Sequence, residues 1–262
     1  MNEEEKEKFI KKLSYISKSK KSIYDNCPLA FKFSYIDKIP QPENPYFIIG
    51  TDVHEFIEAY FNDIKIEDGN LIGLNKLIFH PNIDYRKNVI KFEIKRWETV
   101  KNAGFGEDFY LPVFNEKRWT TESPKLIGIV DRVHKCFKGD PLAPKHSEFK
   151  DGDLVIVENK TGKPTFEKCK KYHNDFYWYK IIMEVMHPEL APIKWGTIYY
   201  PYDNFVYHTK LESEKCKILA KEIHVVREKI IDSIKTGIWK KTPSPKACKW
   251  CRFKYQCKMI ET

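Results

Sequence analysis

The chain has 262 residues, 42% hydrophobic and 15% aromatic, which suffices to bury one sizeable core in a single domain. Its net charge of +9 admits a polyanionic partner, while no run approaches the roughly 18 apolar residues of a membrane span and the start MNEEEKEKF lacks an apolar signal core, so a cytoplasmic protein is expected. Seven cysteines do not form a disulfide framework, because their number is odd, the domain is not small and nothing indicates export; the thiols are available for metal.

Residues 8 to 21 hold six lysines and no acid, and residues 240 to 258 hold six lysines and Arg252, again with no acid. The basic charge therefore sits at the two ends, and Lys18, Lys20, Lys21, Lys249, Arg252 and Lys254 are the candidate phosphate contacts. Ser22 to Tyr35 reads as a short helix, a turn and a second short helix. From Thr51, the apolar residues Val53, Phe56, Ile57, Tyr60, Phe61 and Ile64 form the stripe of an amphipathic helix, with Thr51 or Asp52 as cap. Residues 65 to 83 look irregular, and Tyr85 to Lys101 returns to helical spacing until Gly104.

Phe109 to Phe114 and Lys125 to Phe137 suggest strands, and an Asp151-Gly152 turn leads into the almost continuous apolar strand Leu154 to Lys160. Thr161-Gly162-Lys163-Pro164 stops it. Phe166 to His187 reads as one helix ended by Pro188, Lys194 to Tyr200 as a strand, and Leu211 to Lys235 as a long helix broken by Gly237. A short linker with Pro243 and Pro245 leads into KACKWCRFKYQC. This order predicts an α/β layer with a mixed sheet.

The strand Val155-Ile156-Val157-Glu158-Asn159-Lys160 ends in an acid and a base two residues apart. Side chains alternate faces in a strand, so Glu158 and Lys160 share one face and Asn159 takes the other. A second apolar run, Gly128 to Val133, embeds Asp131; if the two strands pair, Asp131 approaches Glu158. Two close carboxylates repel, and a divalent cation such as Mg2+ or Mn2+ relieves that repulsion. With Lys160 beside them, the group suits phosphodiester hydrolysis. His54, beside the stripe of the first amphipathic helix, is a candidate nitrogen ligand.

Cys248-x2-Cys251-x5-Cys257 needs a fourth partner, and Cys27, in the other basic end, is the candidate. Four thiolates suit an iron–sulfur cluster or tetrahedral zinc, and the spacing of three cysteines together and one about 220 residues away separates these only weakly. Tyr24, Phe31, Phe33, Trp250, Phe253 and Tyr255 adjoin the cysteines and either pack around them or stack bases of single-stranded DNA. Cys136, Cys169 and Cys216 have no partner spacing and are expected to be buried or free thiols.

The order Gly50-x3-His54-Glu55, Gly128-Ile129-Val130-Asp131-Arg132-Val133, Glu158-x-Lys160 resembles the RecB-type branch of the PD-(D/E)XK nucleases. The resemblance implies a restriction-endonuclease-like core, a mixed central sheet flanked by helices, over about 46–236. It implies that His54, Asp131, Glu158 and the Asn159 carbonyl bind Mg2+ or Mn2+, with Lys160 catalytic. The branch also carries a later helix with Gln and, four residues on, Tyr; here Asp175 and Tyr179 stand there, so the glutamine is absent.

The cysteine layout resembles the AddB nuclease domain and the CRISPR adaptation exonucleases. That implies a 4Fe-4S cluster in a small module formed by both chain ends, about 13–36 plus 237–262. DNA is then the expected partner, with a helicase or CRISPR integrase as a further candidate, since the chain has no G-x4-G-K-[ST] phosphate loop of its own. A cluster-containing or zinc-containing DNA-binding subunit that does not cut is the alternative, motivated by the missing glutamine.

Overall fold

The computed structural model describes residues 2–40, 45–73, 83–249 and 251–259. Two compact units are formed, residues 1–43, 120–128 and 217–262 making the first and residues 44–119 and 129–216 the second. Among the described residues, no helix is long and apolar enough to cross a membrane.

The second unit is built on helix α4 (Pro45–Asp63), whose stripe Val53, Phe56, Ile57, Tyr60, Phe61 and Ile64 is buried in its core together with Val89, Trp97, Val155, Val157 and Tyr199. The helix begins ahead of the expected Thr51 or Asp52 cap, and Asp52 instead receives hydrogen bonds from Arg86 and Tyr85. Residues expected to be irregular form a hairpin, β1 (Lys65–Glu67) and β2 (Asn70–Ile72). Its two-residue turn, Asp68-Gly69, has φ +48° and +73°, the left-handed pair that matches strand twist. Residues 74–82, part of the same expected irregular stretch, lie outside the described residues. Helix α5 (Ile83–Asn102) follows, and its Trp97 Nε1 donates to the Gly69 carbonyl at 3.0 Å.

Five strands form the sheet, in the order β3 (Phe114–Glu122), β4 (Lys125–Lys135), β5 (Leu154–Asn159), β6 (Trp195–Tyr200) and β7 (Phe205–Lys210). The sheet is mixed: β4 and β5 pair antiparallel, β5 and β6 parallel, β6 and β7 antiparallel. Central β5 is covered on both faces, which is why Val155, Ile156 and Val157 form an unbroken apolar run. The strand expected over Phe109 to Phe114 is absent. Pro112 cannot donate to a ladder there, residues Glu107–Phe109 form a 3-10 turn, and β3 starts at Phe114.

The single helix expected from Phe166 to His187 is two, α6 (Phe166–His173) and α7 (Asp175–Met186), broken at Asn174. Asn and Asp compete with helical hydrogen bonding, so the Asn174-Asp175 pair is a natural break. Helix α6 packs on β6 and α7 on β5. Gly196 in β6 is a packing glycine, since a Cβ there would sit 2.9 Å from the Phe176 ring of α7.

The first unit contains α1 (Glu3–Leu13), α2 (Lys18–Asn26), α3 (Pro28–Tyr35), the later part of α8 (Ser213–Thr236), α9 (Pro245–Lys249) and α10 (Lys254–Met259). Ile16 bridges Leu126 in parallel fashion. The two chain ends are held together by aromatic packing, Phe31 stacking on Trp239 at 6.0 Å and Phe33 meeting Phe253 at 5.4 Å. Tyr24 adds polar contacts to α8, its hydroxyl lying 3.0 Å from Ser233 Oγ and donating to the Lys229 carbonyl.

Candidate active site

The site is built at the end of the β4/β5 ladder. The ladder's pairing ends at Arg132 and Val157, and one step further along the same register Asp131 lies opposite Glu158. There the Asp131 carboxylate, not a main-chain carbonyl, accepts the Asn159 N–H at 2.9 Å. Opposite residues of an antiparallel pair share a face, so both acids project to the same side. Lys160 continues that face and donates to Glu158 Oε1, while its backbone N–H donates to the Tyr199 carbonyl at 2.9 Å and ties the strand end to β6. Asn159 points the other way, its Oδ1 accepting from Arg132 at 3.1 Å.

His54 on α4 reaches this cluster, with Nδ1 3.5 Å from Asp131 Oδ2 and 2.9 Å from Glu116 Oε1. Glu116 joins the site without any signal in the sequence. It lies in β3 with φ +43°, a left-handed backbone rare for a non-glycine residue and commonest where a site demands it. No spacing rule announces such a residue, because β3 reads as a polar edge strand in which an acid is ordinary. Ligand atoms of His54, Glu116 and Asp131 all lie within 4.8 Å of one another.

From α7, Tyr179 lies close enough to Glu158 and Asp131 for their charges to act on its hydroxyl, and Asp175 close enough to act on Lys160 and Tyr179. The ring of Tyr172 on α6 completes the surroundings, its centre 4.7 Å from Lys160 Nζ. The structure thus brings together every residue of the expected catalytic set, with Glu116 and Tyr172 added.

Electrostatics fit a cation. Burial, and next the charge of Glu158, push the Asp131 carboxyl up to about 7. Burial works against a charged His54, but the charges of Asp131, Glu116 and Glu158 outweigh it and push the imidazole up to about 9. Burial likewise opposes the Lys160 ammonium, and Glu158, Asp131 and Asp175 overcome it, so Lys160 stays charged. Burial, then Glu158, hold Tyr179 protonated. Carboxylate oxygens and one imidazole nitrogen around mutually repelling acids suit a divalent cation.

These shifts predict a pH dependence. Folded His54 titrates above its ordinary value of 6.5, so its stabilisation is complete below about 6.5 and is lost as pH rises through about 9. Asp131, raised from 3.8 to about 7, favours the folded state at low pH and loses that contribution as pH rises through 7. The cation-free protein should therefore melt about 5 °C lower at pH 9 than at pH 5.5, and the stabilisation by Mn2+ should widen over the same interval, because binding displaces those protons. Thermal melts in EDTA and in Mn2+ across this range check it; a gap that narrows with pH contradicts the assignment.

In the first unit, Cys27 is half-buried, and although burial opposes the thiolate, backbone N–H groups of Thr242, Ala30 and Leu29 lower its pKa. Cys248 is exposed, and Cys251 and Cys257 are half-buried. Cys136, Cys169 and Cys216 are buried, as expected. Lys20 donates to the Tyr15 carbonyl and Lys21 pairs with Asp25 and Glu222, so both ammonium groups are engaged within the unit. Lys18 is half-buried, Lys249, Arg252 and Lys254 are exposed, and Lys254 opens α10. Tyr24, Phe31, Phe33 and Phe253 are core residues and not stacking platforms; Tyr255 is 79% exposed, and Trp250 lies outside the described residues.

Among curated proteins, none matches the chain. A family model described as the PD-(D/E)XK nuclease superfamily matches residues 15–258. The matched span encloses His54, Glu116, Asp131, Glu158 and Lys160 on the mixed sheet that carries them, and the chain belongs to the PD-(D/E)XK nuclease superfamily.

Proposed function

We propose that the protein is a divalent-dependent deoxyribonuclease, an exonuclease or end-processing enzyme, with a 4Fe-4S cluster tying its two chain ends. The observation that carries the reading is the meeting of His54, Glu116 and Asp131 with the Glu158–Lys160 pair on one side of β4 and β5. His54, Asp131, Glu158, the Asn159 carbonyl and Glu116 would hold Mg2+ or Mn2+. When bound, the ion supplies Lewis acidity to a phosphoryl oxygen and acidifies a water.

The chain's own groups do the rest. Lys160, fixed by Glu158 and lying over Tyr172, holds a full positive charge where negative charge develops on the phosphate. Tyr179, buried and kept protonated beside Glu158, presents a neutral hydroxyl to the carboxylate side of the site. Asp175, in place of the family's glutamine, adds a negative charge that keeps Lys160 protonated. The test is an assay on end-labelled single-stranded and duplex DNA. Cleavage is expected in Mg2+ or Mn2+ and none in EDTA; DNA binding without cleavage in either ion would instead identify a non-cutting subunit.

The cluster reading rests on donors that fit it. Cys27 sits among N–H donors that stabilise a thiolate, and the segments bearing Cys27 and the C-terminal triplet lie against one another through Phe33 and Phe253. Ligation by Cys27, Cys248, Cys251 and Cys257 closes a loop of more than 200 residues and acts as a staple. Anaerobically purified protein is expected to be brown, and Cys27→Ser to lose the colour and melt earlier. A colourless, zinc-loaded protein would replace the cluster with zinc. The setting proposed is CRISPR adaptation or DNA recombination and repair, with a helicase or integrase as partner, in the cytoplasm.

A further inference from the structure

Helix α4 carries a glycine, Gly50, in its interior, one turn ahead of His54. Only proline is worse for helix stability, so a helical glycine calls for a reason. Packing gives none, for a Cβ built on Gly50 meets no described atom within 4 Å. Backbone geometry gives none either, since Gly50 is not among the glycines with positive φ. Gly196 is the contrast, a glycine that its neighbour's ring enforces.

Residues four apart share a helix face, so the clearance at Gly50 lies on the face that carries His54. Two turns ahead of His54 on that face stands Phe47, 57% exposed. On β4, Ile129 alternates onto the face of Asp131 and is 47% exposed. The helix that delivers His54 and the strand that delivers Asp131 thus each continue into exposed apolar surface, and on α4 a gap among the described atoms lies between the two. A nucleic-acid strand has the matching composition, an anionic phosphate flanked by the apolar faces of sugar and base.

We propose that Gly50 keeps open a notch that admits one nucleotide of the substrate strand, with Phe47 and Ile129 covering its sugar and base while the phosphate sits at the carboxylate cluster. This rests on the nuclease reading and specifies how the same site holds its strand. Gly50 is a clearance residue and takes no part in the chemistry.

The experiment compares the full chain with Gly50→Ala, Gly50→Leu and Phe47→Ala. Three quantities are read: the melting temperature, Mn2+ affinity by calorimetry, and affinity for a fluorescein-labelled single-stranded oligodeoxynucleotide on a Lys160→Ala background. Gly50→Ala should melt a few degrees higher, as a better helix former, yet bind DNA about threefold more weakly. Gly50→Leu and Phe47→Ala should each weaken DNA binding about tenfold, the loss expected for one base contact, with Mn2+ affinity unchanged. Cleavage by the same Gly50 and Phe47 variants with Lys160 intact should show a raised KM and little change in kcat.

Two results overturn the proposal: Gly50→Leu binding DNA as tightly as the parent, or its Mn2+ affinity falling in step with DNA affinity, which would mark a displaced His54. If the parent binds DNA but never cuts it, the nuclease reading fails, while the binding comparison still decides the notch.

Discussion

Replacing Lys160 by alanine is expected to slow DNA cleavage by about a thousandfold at saturating Mg2+, the scale of removing one preorganised charge from a transition state. The side chain donates to Glu158 and is raised in pKa by Glu158, Asp131 and Asp175, so a full positive charge is held beside the acids. Its backbone bond to Tyr199 survives the substitution, and strand β5 should keep its place. Glu158→Gln, which keeps the shape and removes the charge, should cost a similar factor and also weaken Mn2+ binding. Rates on end-labelled DNA, with circular dichroism to establish folding, decide the matter. A folded Lys160→Ala protein that retains more than a tenth of the activity would remove Lys160 from the reaction.

How these residues could be read from sequence differs from one to the next. Asp131, Glu158 and Lys160 were legible because charged residues stand out inside apolar strands, and because strand alternation fixes which of them share a face. His54 was legible from its place beside a helical stripe. Glu116 was not, since its role depends on a left-handed backbone inside a polar edge strand, a tertiary demand that leaves no local signature. Tyr179 could be read as core or as site, and it is both buried and close enough to Glu158 and Asp131 for their charges to raise its pKa.

Some of the fold's departures from the expected elements are written locally. The Asp68-Gly69 turn marks the hairpin β1–β2, and Asn2 with Glu5 forms the capping box of α1. Strand β7, with His208, Thr209 and Lys210, lacked the apolar run that betrays a central strand because it lies at the sheet's edge. The buried charges on the opposite side of β4 are a different case. Nothing in the spacing of Glu93, Arg96, Arg132 and Asp140 tells that all four are buried together.

Those charges carry the largest expected effect on stability. Arg132 follows Asp131 in β4 and so points away from the site, into the core, where it donates to Glu93 at 3.0 Å and to the Asn159 amide oxygen at 3.1 Å. Its guanidinium lies 5.1 Å from the centre of the Phe61 ring. Arg96 anchors the other end, donating to Asp140 and to the carbonyls of Phe109 and Tyr110. Arg132→Met keeps the volume but leaves Glu93 with Arg96 alone at 3.5 Å, a buried carboxylate stripped of its better partner. Breaking one member of such a set costs about 3–5 kcal/mol, or about 10 °C in melting temperature for a chain of this size. Adding Glu93→Gln to Arg132→Met should recover part of that loss, because the orphaned charge is what makes the single variant costly. Asn159 lies between Glu158 and Lys160, so its lost donor should also loosen the end of β5 and weaken Mn2+ binding in the single variant. Melting curves and Mn2+ titrations of the single and double variants separate these effects. An Arg132→Met protein that melts with the parent would show that the pair contributes nothing beyond what methionine packing replaces.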